Sequence, residues 1–220
     1  MIEHKNYLSY VLENNLAISK FMLDHSLIVL AMIAFKDKEI KSIFEKEFEE
    51  YEEFILEIIP FSYNKITKKF AESNILISDY TIALNDKTCE LYKVQDNKEI
   101  NNNCVNLILN AMTNDLDINQ DDYLKIISFN KKSLNKLNNS LNILHHLKKE
   151  LFDDKVQIFF SHDFIDHLIK ETETFLYTLL FFEKDMNYTP TYVYSCNFYY
   201  NLFLKDHLVY IKEMTFTINF

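Results

Sequence analysis

The chain has no glycine, no tryptophan and no arginine, and all 23 of its basic residues are lysine. At roughly 7% usage an ordinary chain of this length would carry about 15 glycines, so their absence is not chance. Without glycine there is no P-loop, no glycine-rich dinucleotide fingerprint and no glycine-flanked nucleophile elbow. The abundance of Lys, Asn, Ile, Phe and Tyr alongside these gaps reads as drift in an AT-rich genome. Aromatic-rich helices in such a chain are core before they are binding platforms. Cysteine is scarce as well: Cys89, Cys104 and Cys196 form neither an even disulfide set nor a close metal-binding pair. With no signal-like start and no apolar run read as long enough to span a bilayer, the expectation is a cytoplasmic protein without a membrane partner.

Basic charge is also in deficit. The formal net charge is −10, which opposes nucleic-acid binding, because phosphate neutralisation by clustered Lys and Arg supplies most of that affinity. The lysines are interspersed with Glu and Asp, as in "KDKEIKSIFEKEFEEYEE", the pattern of a solvated helix face. With 48% hydrophobic and 25% charged residues, the chain has the make-up of an ordered globular protein. Its 220 residues suffice for one cored domain, with or without an appendage.

The apolar spacing is helical along most of the chain. Over 6 to 34, Val11, Ile18, Met22, Val29 and Met32 share a stripe with Asn15 and His25. A second helix opens at the cap Asp37, carries Ile40, Phe44, Phe48, Tyr51 and Ile55 on one face and stops at Pro60. A third covers most of 62 to 94, the polar stretch "VQDNKEINNN" breaks the pattern, and a short helix follows near 104 to 113. A long helix then carries the seam Leu134, Leu137, Leu141, Leu144 and Leu147. "DDKVQIFFS" is an extended connection, Ser161 caps a helix to about 184, and Thr189 with Pro190 opens a last helix toward 217. No sheet is implied. The expected fold is all-α, a four-helix up-and-down bundle of ferritin-like appearance over 1 to 188, with an additional C-terminal helix over 189 to 220.

The chemistry is carried by a repeated dipeptide. Asp-His occurs in "FMLDH", "FIDH" and "FLKDH", placing His25, His167 and His207 in similar acidic, aromatic settings. His167 and Glu171 are four apart, so on a helix they lie on one face one turn apart, where a nitrogen and a carboxylate can share a metal. At 1.5 Å per residue, His167 lies roughly 22 Å from the end of its helix and His207 roughly 24 Å from the start of the next. An antiparallel hairpin sets them side by side, and a first helix antiparallel to the 162 to 184 helix brings His25 to the same level. Three histidines and one glutamate suit an iron, zinc or manganese ion, with the carboxylate favouring iron. Asp24, Asp166 and Asp206 point about 100° away from their histidines and read as surface. His145 and His146, beside Lys148 and Lys149, read as a C-terminal cap. The Glu residues of the second helix show no inward pair suited to acid and base work. No reaction follows from these residues, and no substrate pocket is legible.

Phe21, Asp24 and His25 superpose on Phe203, Asp206 and His207 at an offset of 182, as if a second repeat ended after one helix. "SNILISDYTIALNDKTCELY", "FFSHDFIDHLIKETETFLYTLL" and "NFYYNLFLKDHLVYI", taken with the first helix, resemble a bacterial family of tandem four-helix bundles, domain of unknown function 2935, over nearly the whole chain. The resemblance implies a metal-associated helical protein with His25, His167, Glu171 and His207 on the family's His and Glu positions. It departs at Asn14 and Cys196, where the family pattern carries Glu. The competing expectation is a structural or interaction module with a degenerate metal site. It would form homo-oligomers through the apolar face of Phe198, Leu202, Phe203 and Val209.

Overall fold

The computed structural model describes residues 4–33, 37–77, 98–158 and 162–184. Among these the structure is all-helical, and no strand occurs; one isolated antiparallel bridge pairs Ile33 with Ile158. The helices are α1 (His4–Met32), α2 (Lys38–Ser62), α3 (Lys68–Ala71), α4 (Lys98–Thr113), α5 (Tyr123–Phe152, entered through a 3-10 turn at Gln120–Asp122) and α6 (His162–Lys184).

With neither Gly nor Pro to interrupt it, α1 is a 29-residue helix, and it is buried on every side. The expected stripe of Val11, Ile18, Met22, Val29 and Met32 is covered, but so are Leu8, Leu12, Leu16, Leu23 and Leu27 on the other faces. A helix apolar all round must be surrounded, and α1 packs along α2, α5 and α6. Three of its polar side chains bond locally: Asn14, Asn15 and Ser26 donate to the carbonyls of Tyr10, Val11 and Met22, each one turn back. Contrary to the expectation from sequence, the stretch Tyr7–Met32 is long and apolar enough to cross a membrane by length and composition, and 89% of its apolar window is buried inside this fold.

Side-chain contacts set the helix directions. Tyr7 donates to the Phe182 carbonyl at 2.8 Å and Phe21 stacks on Phe175 at 6.0 Å, so α1 and α6 run antiparallel. Asn130 donates to the Leu179 carbonyl and Lys148 pairs with Asp166, which makes α5 antiparallel to α6. Tyr51 meets Ser140 at 3.0 Å while Glu57 takes Lys125 and Lys132, so α2 is antiparallel to α5. The leucine seam of α5 is confirmed, with Leu134, Leu137, Leu144 and Leu147 buried and Leu141 half-buried.

Three element boundaries depart from the sequence expectation. α2 does not stop at Pro60 but continues to Ser62. A proline one turn from a helix end forfeits a single backbone bond, and α2 is held there by the burial of Ile58 and Ile59. The third helix is only Lys68–Ala71, because Asn64 and Asn74 take left-handed backbone (φ 60° and 58°) and Thr67 caps the short turn by accepting from Phe70 N–H. Residues 78–97, where the rest of that helix was expected, lie outside the described residues. α4 begins at Lys98, inside the polar stretch expected to break the pattern; Ile100, Asn101, Cys104, Leu107 and Ala111 form its buried face. The last helix over 189 to 220 and the Ser161 cap also fall outside the described residues.

Glu13 ties α1 to the connection after α2. Its Oε1 accepts the Thr67 N–H at 2.6 Å, and burial pushes its carboxyl up to about 8, against the Thr67 hydrogen bonds and the nearby Lys69 charge, which pull it down. A carboxyl whose folded pKa lies above its unfolded value of 4.5 contributes fully below that value and loses its contribution as pH rises through the folded pKa. Stability should therefore fall between pH 4.5 and about 8. In Glu13→Gln the urea midpoint should vary less over this window, by an amount on the order of a few kcal/mol in unfolding free energy.

Candidate functional site

The antiparallel register of α1 and α6 brings their histidines together. Above the Phe21 and Phe175 pair, Thr172 Oγ1 lies 3.8 Å from Met22 Sδ, and one turn further on His25 Nε2 stands 3.3 Å from Glu171 Oε2. From the preceding turn of α6, His167 Nε2 reaches the same oxygen at 3.6 Å. The Phe164 ring stacks on His167 at 6.5 Å. His25 and Glu171 are buried, at 5% and 1% exposure, and the His167 side chain keeps 18%. Three of the four residues picked out by sequence therefore meet around one carboxylate oxygen. The fourth, His207, lies outside the described residues.

The separations are informative. A charge-assisted hydrogen bond between imidazole and carboxylate closes to about 2.7–2.9 Å, and both distances here are longer. Donors placed about 2.0–2.1 Å from a tetrahedral ion stand about 3.3 Å from each other, which is the spacing of His25 and Glu171. Among the described residues no group of three or more His, Cys, Asp and Glu side chains is arranged so that it could hold a metal ion.

The sequence reading passed over Glu47. It is the inward glutamate of α2, 4% exposed, with its carboxyl pushed up to about 7 chiefly by burial. The Ser140 and Ser26 hydroxyls pull it down, the Glu50 charge adds to the rise, and Lys136 opposes it. Burial likewise holds the neighbouring Tyr51 hydroxyl well above its usual range. The signal was present in the spacing: residue 47 is seven after Ile40 and seven before Phe54, both buried on the same face.

The other residues singled out from sequence have plainer partners. Asp24 is half-buried and takes Lys20 Nζ on both oxygens, at 2.6 and 2.7 Å, and the Lys20 side chain is itself only 3% exposed. Asp166 pairs with Lys148 across to α5. Asp206 lies outside the described residues, as do Cys89 and Cys196. His145 and His146 are exposed but do not cap α5, which runs on to Phe152; the carbonyls near its end are taken by the N–H groups of Asp153, Asp154 and Lys155. Burial raises the Cys104 thiol to about 11, leaving it protonated and unreactive.

No family model matches the chain, and no curated protein or solved structure matches it. The resemblance to the tandem-bundle family thus stands without a match behind it, and function has to be read from the side chains.

Because Asp24 neutralises a buried lysine rather than an imidazole, Asp24→Asn should lower stability by about 2 kcal/mol. Metal content should not change. A urea titration beside elemental analysis checks both; metal lost without a loss of stability would return Asp24 to the histidine.

Proposed function

We propose that the chain is a helix-bundle metal-binding protein, with one divalent ion held between α1 and α6 by His25, His167 and Glu171. His207 would be a fourth donor from the C-terminal helix. What carries this proposal is the convergence of two imidazole nitrogens on Glu171 Oε2, at 3.3 and 3.6 Å, in a largely buried position. Two imidazoles and one carboxylate with open positions are a donor set suited to non-haem iron, with zinc and manganese as close competitors. When bound, the ion would supply Lewis-acid or redox chemistry. Glu171 would set the charge of the centre, and the Phe164 ring stacked on His167 would restrict that imidazole's swing. No substrate or reaction is assigned. In this proposal α1, α2, α5 and α6 are the four helices of an up-and-down bundle spanning 1 to 188, and 189 to 220 add a further helix. The antiparallel contacts of α6 with α1 and α5, and of α2 with α5, support that arrangement.

A second role has its own observation. Both imidazoles address a single oxygen, and no group of three or more His, Cys, Asp and Glu side chains among the described residues is arranged so that it could hold a metal ion. This favours a scaffold in which the cluster is a buried polar network left from a degenerate site, the C-terminal helix serving as a contact between copies.

Elemental mass spectrometry on untagged protein, purified without chelator, separates the two. Near-stoichiometric iron, zinc or manganese in the wild type is expected, with loss of metal and retained helical circular dichroism in His25→Ala and in Glu171→Ala. Equal metal content in all three proteins, or none in the wild type after incubation with each ion, would leave the scaffold.

A further inference from the structure

Between α2 and residue 77 the chain forms a strap that turns through left-handed backbone at both ends, at Asn64 (φ 60°) and Asn74 (φ 58°). Its first end is pinned: the Asn64 N–H donates to Asn110 Oδ1 at 2.8 Å, and Lys65 Nζ donates to the Asp117 carbonyl at 3.2 Å. Beyond Lys65 the backbone bonds are short-range, closing the turn Lys68–Ala71 and the Ser73 turn on themselves. What ties this part to α1 is the Thr67 N–H, donated to Glu13 Oε1 at 2.6 Å, and Ile66 and Ala71 are buried.

Glu13 is itself 4% exposed, on a helix enclosed on every side. The groups that favour its charge are the Thr67 N–H and hydroxyl and the Lys69 ammonium, and all three belong to the strap. On α1 the titratable neighbour one turn back is Tyr10. The thiol that α4 buries, Cys104, feels Lys20 and Asp24, two to three turns further along α1. Burial outweighs the attractions from the strap, so below pH about 8 the carboxyl is neutral where it lies. Once ionised, it is hydrated better by water than by one amide, one hydroxyl and one lysine in the interior.

We propose that residues 66–73 are a proton-controlled strap, closed on α1 while Glu13 holds its proton and swinging away, with the helix bundle intact, when Glu13 ionises. Opening uncovers Glu13 and withdraws Ile66 and Ala71 from the core, giving α1 an accessible face that it lacks in the closed state. A carboxyl that titrates at about 8 when closed and near 4.5 when open favours the closed strap fully below pH 4.5. The open population then rises about tenfold per pH unit up to about 8 and levels off above it. This release does not depend on the function proposed for His25, His167 and Glu171.

Amide hydrogen exchange of the full chain from about pH 5 to 9, divided by the intrinsic rate at each pH, is the measurement. Thr67 and Ala71 report the strap, and Leu137 and Leu144 the bundle. In wild type the strap amides should exchange through an opening that sub-denaturing urea does not accelerate, with protection falling about tenfold per pH unit until about pH 8. Leu137 and Leu144 should stay better protected and exchange through urea-sensitive unfolding. In Glu13→Gln the protection of Thr67 and Ala71 should be level with pH. A wild-type slope that persists in Glu13→Gln would overturn the role of Glu13. Strap protection that is level with pH in wild type, or that matches Leu137 and Leu144 in rate and urea dependence, would overturn the strap. Should Glu13→Gln not fold, carboxyl carbon-13 NMR of wild type decides: a Glu13 midpoint near 8 supports the proposal, and one near 4.5 overturns it.

Discussion

Everything at the candidate site depends on the way α1 lies against α6. The Tyr7 hydroxyl on the Phe182 carbonyl and the Phe21 ring on Phe175 pin the two helices at two levels, about four turns apart along α1 and about two along α6. With both points fixed neither helix can slide, and the next inward positions, His25 and Glu171, have no choice but to meet. An axial shift of one turn, about 5.4 Å, would bring a different pair together. The site is therefore a product of aromatic packing at some distance from it.

Around that contact the buried polar groups divide by what they do. Lys20 with Asp24, Asn15 with Asn130, and Glu13 with Thr67 are paired across or along helices and fix the relative placement of elements. Their partners are all within the chain. The His25, His167 and Glu171 cluster differs in its nitrogen to oxygen separations of 3.3 and 3.6 Å, and Glu47 in lining a small cavity with His25 and Ser26.

Where periodicity was strong, the sequence was read correctly. The α2 face of Ile40, Phe44, Phe48, Tyr51 and Ile55 and most of the leucine seam of α5 are buried as expected, and the expected approach of His25 to the His167 and Glu171 pair is found, while His207, set at the same level by that argument, lies outside the described residues. The errors arose where one side chain outweighs a pattern. Asn64 and Asn74 take left-handed backbone that other chains give to glycine, so among the described residues up to 77 the expected third helix is one turn, Lys68–Ala71. In α4, Asn101 is buried on the apolar face, so a stretch that looked like a polar breaker is helix. Pro60 was weighed without its position in the last turn of α2. Glu47 was hidden among the many glutamates of its helix, most of which face solvent, and only its seven-residue spacing from Ile40 and Phe54 sets it apart.

The enclosure of α1 also orders events in time. It leaves the ribosome before α5 and α6, which cover much of its surface and are completed about 120 to 150 residues later. At bacterial-to-eukaryotic synthesis rates of about 5–20 residues per second, that delay is on the order of ten seconds. Over this interval a helix apolar on all faces has only α2 to lie against among its long-helix partners. The nascent chain thus passes through a stage in which this apolar segment is already made and still little covered, a stage that invites a chaperone or a like segment of another chain to occupy the place later taken by α6.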